Sequence, residues 1–238
     1  MTSAYYAPGA ARAENVRKLF ARIASRYDFL NDLQSFGIHR LWKRKMANLS
    51  GAAPGLRALD LCCGTGDIGR LLAARGAKTV GCDFTREMLA AAPQRNQVQA
   101  LIQGDALHLP FRSSSFDVLT IAYGLRNLAD FERGLREMLR VAKPGARLLI
   151  LDFGRPENPL WRFLYFAYLR AVVPIFGRLF AGDAAAYRYI LDSLENYPAQ
   201  QGVARLLQTL GCPQVEVFNL LGGVMSIHKA LVAFDGKH

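Results

Sequence analysis

Arg57-Ala-Leu-Asp-Leu-Cys-Cys-Gly-Thr-Gly-Asp67 decides the fold. A short apolar run, Arg57 to Cys62, breaks at Cys63-Gly-Thr-Gly66 and resumes with helical spacing from Ile68 to Arg75. A strand that passes through a glycine turn into a helix opens a βα unit. The unit repeats downstream. Lys78 to Cys82 reads as a second strand ending at Asp83, with a helix from about Arg86. Val98 to Gln103 reads as a third, before Gly104-Asp105, and Phe116 to Tyr123 as a fourth. Asp130 suits the N-cap of a helix that carries Leu135, Met138 and Leu139 on one face, with Glu132 and Arg136 as an i,i+4 pair. Lys143-Pro-Gly145 is expected to stop that helix, and Arg147 to Phe153 to be the fifth strand. This βαβα rhythm predicts an α/β fold, a parallel sheet with helices on both faces. An apolar insertion at about 156–198 interrupts it. A helix from Gln200 to Leu210 then leads to two closing strands, Val215 to Leu220 and Ser226 to Phe234, joined by Gly222-Gly223.

Composition bounds the reading. The chain has 238 residues, 51% of them hydrophobic and 21% charged, which suits one core-forming domain and excludes long-range disorder. The 21 glycines show no period of three, and four cysteines are too few for a disulfide framework. The net charge of +11 favours an anionic partner: nucleic acid, an acidic lipid surface or an acidic ligand. Met1 to Ala13 holds no apolar stretch of signal-peptide length. Arg162, Arg170, Pro174, Gly177 and Arg178 break the most apolar region, Pro159 to Phe180, well short of the ~18 residues a membrane span needs. The expected location is the cytoplasm.

The section before the first strand, residues 1–50, reads as helical. Val16, Leu19, Phe20, Ile23, Tyr27 and Leu30 recur at helical spacing, while Lys18, Arg22 and Arg26 stand four apart on another face. Between 12 and 45, nine Lys/Arg face three Asp/Glu, so this section supplies +6 of the total charge. Such a face is either simply solvated or meets something anionic.

In doubly wound sheets ligands bind at the carboxyl ends of the strands. The turn containing Gly64, Thr65 and Gly66 lies there, and so does Asp83, where a carboxylate can accept both hydroxyls of a ribose. Gly64-Thr-Gly-Asp-Ile-Gly69 formally matches the dinucleotide pattern G-x-G-x-x-G. However, Asp67 would put a carboxylate where a pyrophosphate needs bare N–H groups. S-adenosylmethionine carries no phosphate and has a positive sulfonium and ammonium, so Asp60 and Asp67 are expected near its amino-acid end. Asp105 in Gly104-Asp105-Ala106 suits its adenine amino group. Phe116-Asp117 and Lys143-Pro-Gly145 complete an order typical of methyltransferases.

Further motifs sharpen this. Tyr27-Asp-Phe-Leu-Asn-Asp-Leu-Gln-Ser-Phe-Gly-Ile-His-Arg-Leu-Trp-Lys43, Asp60-Leu-Cys-Cys-Gly-Thr-Gly-Asp67 and Tyr123-Gly-Leu-Arg-Asn127 are joined by Asp183, Tyr187-Arg-Tyr-Ile-Leu-Asp-Ser193 and Pro198. Over about residues 14 to 234 the chain resembles the ubiquinone/menaquinone biosynthesis C-methyltransferases, of the demethylmenaquinone methyltransferase type. The resemblance implies a class I methyltransferase (Rossmann-like) fold: a seven-stranded sheet, mostly parallel, with an antiparallel last strand. It implies methyl transfer from S-adenosylmethionine, without a metal, to a ring carbon of a polyprenylated quinol. By motif position Thr65, Asp83, Asp105, Ala106 and Ala122 would contact the cofactor; at Ala122, where relatives can carry Ser, only a backbone contact survives. It also divides the chain into a helical section, 1–50, covering the site and a methyltransferase domain, 51–238.

Transfer to carbon needs a nucleophilic ring carbon, which a quinol provides once its hydroxyl loses a proton. Arg126 is the candidate to hold the resulting phenolate, with a structural salt bridge as the alternative, and Asn127 to orient a water or hydroxyl. Tyr27 is either a core aromatic of its helix or reaches over the pocket from the N-terminal section. His39 is the best histidine for accepting a proton, although Ile38, Leu41 and Trp42 beside it favour a packed role; His108 and His228 look structural. Cys62, Cys63 and Cys82 are read as small buried hydrophobes, with no C-x-x-C and no metal site.

A polyprenyl substrate lives in the bilayer. The insertion combines Trp161, Phe163, Leu164, Tyr165, Phe166, Tyr168, Leu169, Val172, Val173, Ile175, Phe176, Leu179 and Phe180 with Arg162, Arg170 and Arg178. That suits a lid that docks the tail and touches the anionic membrane surface, peripheral at the inner face. The alternative uses are a core helix or a homodimer interface. An RNA methyltransferase is the competing enzyme, but basic residues beside greasy segments favour lipid over nucleic acid. A cofactor-binding module without activity is the non-catalytic alternative.

Overall fold

The computed structural model describes residues 10–92, 98–176, 194 and 197–233, with no side-chain detail for 10 and 172–176. Arg178, Leu179, Phe180, Asp183 and the block Tyr187 to Ser193 lie outside the described residues, as do the side chains of Val172, Val173, Ile175 and Phe176.

Seven strands form one sheet: β1 (Arg57–Leu61), β2 (Lys78–Asp83), β3 (Ala100–Gln103), β4 (Phe116–Ala122), β5 (Ala142–Phe153), β6 (Gln214–Leu220) and β7 (Met225–Leu231). Their order is β3-β2-β1-β4-β5-β7-β6. The first five run parallel, and β7 slots antiparallel between β5 and β6, as expected for the last strand. The Leu221–Gly223 turn between β6 and β7 needs left-handed backbone at Gly222 (φ 66°) and Gly223 (φ 94°), which glycine adopts without a Cβ penalty. Chain order reverses between β1 and β4, so a crevice opens at their carboxyl ends.

The central strands are buried on both faces, as crossovers on both sides require. Val118, Leu149 and Leu151 pack to one face and Leu119, Leu148 and Ile150 to the other, the period-two alternation of a strand. The second face carries helices α6 (Phe131–Val141), through Leu135 and Met138, and α8 (Ala199–Thr209), through Val203 and Leu207. The first carries α4 (Asp67–Ala73) and the N-terminal helices α1 (Ala10–Ile23), α2 (Tyr27–Ser35) and α3 (Ile38–Leu49). Leu19, Met46 and Ala47 share one core cluster with the sheet, so the N-terminal section is built into this face. A short α5 (Arg86–Ala90) follows β2, and α7 (Pro159–Phe176) opens the insertion.

Asp130 caps α6: its side chain accepts from the Arg133 N–H at 2.9 Å. The expected stop differs. The helix ends at Val141, and Lys143-Pro-Gly145 lies within the first, irregular part of β5, where the register jumps from Phe116↔Ala142 to Val118↔Arg147. Proline lacks a ladder donor and Gly145 sits at φ 76°, so this stretch bulges instead of pairing evenly.

Candidate active site

Two cavities open at the carboxyl end of the sheet. The smaller, about 100 Å³, is a cleft lined by Gly64, Asp83, Asp105, Ala106, Ala122 and Asn127, with Phe84, Met88 and Leu128 as apolar walls. Asp83 ends β2 and is held rigidly: Oδ2 accepts the Gly64 N–H and Oδ1 the Thr85 N–H, each at 2.8 Å. Burial raises its pKa, and the backbone N–H groups of Thr85, Gly64 and Phe84 oppose that shift. Asp105 is more open and accepts the Leu107 N–H at 2.8 Å. Gly64 lies at φ 54°, and a Cβ there would sit 3.0 Å from Met88 Cε.

Thr65 and Gly66 do not line this cleft. The Thr65 hydroxyl donates to Asp28 Oδ1 at 2.9 Å, and Gly66, at φ 82°, starts α4. Asp60 and Asp67, expected near a cofactor's amino-acid end, both have partners within the protein. Asp60 is fully buried beneath the loop, accepting the Gly69 N–H at 2.9 Å and the Thr120 hydroxyl at 2.8 Å; burial pushes its pKa up to about 7. Asp67 pairs with Lys43 at 2.8 Å and with Arg70. Burial alone would raise Asp67, but the two cations outweigh it and hold it below its ordinary value. These carboxylates fasten the glycine loop to β4 and to α3. Burial raises the thiols as well, Cys82 to about 12 and Cys62 and Cys63 further, which suits inert packing.

The larger cavity holds about 510 Å³ and shares Phe20, Tyr27 and Tyr123 with the cleft. These three rings form the wall where the two meet. Leu19, Ile23, Leu30, Trp42, Phe153 and Leu169 make most of the rest apolar. Arg126 faces this side, from a 3-10 turn at Leu125–Asn127. Its Nη1 donates to Asp152 Oδ1 at 3.1 Å and to the Tyr123 carbonyl at 2.7 Å, and its guanidinium stands 4.5 Å from the centre of the Phe153 ring. Neighbouring Asn127 turns to the cleft, donating to the same Tyr123 carbonyl at 2.9 Å. Adjacent motif residues are thus divided between the two cavities. Gly124 in this motif is a packing requirement, since a Cβ there would lie 2.5 Å from Cys62 Cβ.

The geometry adds residues that pattern reading missed. Asp152, wholly buried at the end of β5, anchors Arg126; its place after an apolar strand parallels Asp83 and was the available signal. Tyr123 and Tyr165 line the larger cavity; their buried hydroxyls have no hydrogen-bond partner among the described residues, and burial pushes both pKa values up. His39 lines it too.

The ubiE/COQ5 methyltransferase family model matches residues 9–232. The chain belongs to this family. The "Ubiquinone/menaquinone biosynthesis C-methyltransferase UbiE" of Ectopseudomonas mendocina is 40% identical over 234 residues, covering 94% of this chain and 91% of its own. The "Demethylmenaquinone methyltransferase" of Desulfitobacterium hafniense is 39% identical over 229 residues, 92% and 90%. In structure the chain resembles a possible histamine N-methyltransferase from Thermotoga maritima (TM-score 0.64, 17% identity, 91% and 99% covered). It also resembles an S-adenosylmethionine-dependent methyltransferase from Aquifex aeolicus (TM-score 0.57, 19% identity, 80% and 89% covered). These two likenesses concern the fold. Family membership agrees with the Tyr123-Gly-Leu-Arg-Asn127 motif lying where the two cavities meet.

Proposed function

We propose that the protein transfers a methyl group from S-adenosylmethionine to a ring carbon of a polyprenylated quinol. The observation that carries this reading is the junction of a small polar cleft and a large apolar cavity at Tyr27 and Tyr123, with Arg126 on the apolar side. The cleft fits the cofactor chemically. Asp83 keeps acceptor capacity for ribose hydroxyls, Asp105 has open oxygens for an amino group, and Gly64 and Ala122 leave room for close approach. The cofactor supplies an electrophilic methyl. Arg126 stays charged at any working pH and stabilises the phenolate; Asp152 fixes its fork. Asn127 orients the cofactor side of the junction, and Tyr27 closes over both reactants so that they meet in line.

The apolar cavity suits the ring and the first part of a prenyl tail, and its mouth suits a bilayer. Phe36, Ile38, Trp161, Leu164 and Leu221 both line the cavity and are exposed, with Phe29, Leu41, Leu160 and Phe163 exposed as well. Arg40, Arg44, Lys45, Arg162 and Arg170 are exposed on the same helices, α3 and α7, as most of these residues. An apolar rim with cations is the composition of a surface that enters an anionic leaflet. Among the described residues no helix is long and apolar enough to cross a membrane.

The test is an assay of purified protein with methyl-labelled cofactor and demethylated naphthoquinol and benzoquinol. Label should enter the ring of at least one. Transfer to neither overturns the proposal.

A further inference from the structure

We propose that His39 is the proton acceptor for the quinol hydroxyl, its lone pair presented to the large cavity by Ser35. This rests on the quinol reading above. The argument begins with the turn between α2 and α3. Phe36 (φ 49°) and Gly37 (φ 74°) reverse the chain so tightly that Ser35, the last residue of α2, meets His39 in the first turn of α3. Ser35 Oγ stands 2.6 Å from the Asn31 carbonyl oxygen and 2.7 Å from His39 Nδ1. A serine hydroxyl has one proton. Two oxygens at 2.6 Å repel without a proton between them, so that proton goes to Asn31. The contact with the imidazole must then be Nδ1–H donating to Oγ, which leaves the lone pair on Nε2. Nε2 has no protein partner among the described residues, and the ring lines the cavity.

Several neighbouring groups cannot take this role. Arg126 is permanently protonated. Tyr123 and Tyr165 are held protonated by burial. Asp83 belongs to the cleft, and Asp152 is wholly buried against Arg126. Four charged groups surround His39. Asp32 Oδ1 is 3.8 Å from Nδ1 and is shared with Arg40; Lys43, one turn along α3, is paired with Asp67. Burial, helped by Lys43 and Arg40, lowers the His39 pKa against Asp32 and Asp67, so the ring is neutral, with its lone pair open to a proton, near pH 7. Asp32 is close enough to stabilise the imidazolium once it forms.

The step balances. The quinol O–H bond breaks and its proton goes to Nε2. The phenolate pair moves to the ortho carbon, which bonds to the methyl as the methyl–sulfur bond breaks and its electrons stay on sulfur, giving the neutral thioether. The ring then loses its displaced hydrogen to water as a proton, and His39 returns its proton to the oxygen. One proton is released per turnover.

His39→Asn is the decisive variant, because the asparagine amide replaces Nδ1–H towards Ser35 and offers nothing at Nε2. Turnover should fall by about 10²–10⁴-fold, with cofactor affinity unchanged. The acid limb of the kcat–pH profile should disappear, and added imidazole should restore part of the rate. Turnover within threefold of native with the acid limb intact overturns the proposal. Ser35→Ala, which frees the tautomer, should shift that limb; an unmoved limb counts against Ser35 as the positioning residue. If His39→Asn does not fold, nitrogen NMR of the native protein decides. A His39 protonated at Nδ1 is required, and one protonated at Nε2 overturns the proposal. The NMR readout needs no substrate, so it stands apart from any failure of the native enzyme on quinols, which would overturn the function proposed above.

Discussion

The cleft and the large cavity share three aromatic side chains yet are assembled in opposite ways. Beneath a cover from α1 and Tyr27, the cleft is made mainly of residues that end β1, β2 and β4 or follow β2, β3 and β4, and its two carboxylates, Asp83 and Asp105, accept backbone N–H groups. The large cavity takes side chains from α1, α2, α3, α7, the ends of β4 and β5, and the turn before β7. The first is fixed by local chain geometry, the second by how distant helices pack. A cofactor shared by many enzymes suits the first design, and a substrate peculiar to one family suits the second.

The sharpest way to break this division is at Arg126, where the two designs join. Arg126→Ala leaves Asp152 buried without its cation, which costs about 3–5 kcal/mol. A large drop in urea midpoint and loss of turnover are expected. Arg126→Lys keeps the charge, so it should fold and bind cofactor yet turn over slowly, since the planar fork is gone. Near-native turnover of the lysine variant removes Arg126 from the chemistry.

Asp83→Ala tests the cleft alone. Losing charge-assisted hydrogen bonds worth about 1.5–3 kcal/mol should weaken cofactor binding tenfold or more by calorimetry, with the apolar cavity undisturbed. Unchanged affinity removes Asp83 from the cofactor site.

The contrast explains what could be read from sequence. Strand positions followed from apolar runs ending in Gly64, Asp83 and Asp105, and all three stand at the cleft. Partners far along the chain were not legible. Thr65, expected to contact the cofactor, also donates to Asp28, thirty-seven residues earlier. Asp67, expected near a cofactor's amino-acid end, is paired with Lys43, twenty-four residues earlier. His39 sat among apolar neighbours that argued for packing, and it is indeed buried; its exposure to a cavity depends on α7 and the turn before β7, which no local pattern reveals.

Asp60 sharpens the cleft side through pH. Its carboxyl ionises at an ordinary value near 3.8 when unfolded and at about 7 when folded. A raised folded pKa means that its contribution to stability is full below about pH 4 and is lost as pH rises through 7. Asp60→Asn should therefore flatten the fall in urea midpoint between pH 5 and pH 8. An unaltered slope places that titration elsewhere.

The smallest effects per residue belong to the exposed cations of the N-terminal section and the apolar rim of the large cavity. Lys18, Arg22 and Arg26 are exposed on the N-terminal section, Lys18 beside Glu14 at 3.6 Å, and each cation near an acidic leaflet adds on the order of 1 kcal/mol that salt screens. Phe36 and Phe163, 77% and 69% exposed, add an apolar contribution that salt leaves untouched. The two can be separated by flotation with vesicles containing anionic lipid. Replacing the three cations by Gln should abolish most of the salt-dependent part of binding and spare turnover on a short-tailed, soluble quinol. Replacing Phe36 and Phe163 by Ser should remove most of what persists at high salt. Absence of any association at low salt would mean that the apolar rim is covered in another way, and sedimentation would then be expected to show a dimer that the Phe36 and Phe163 replacements dissociate.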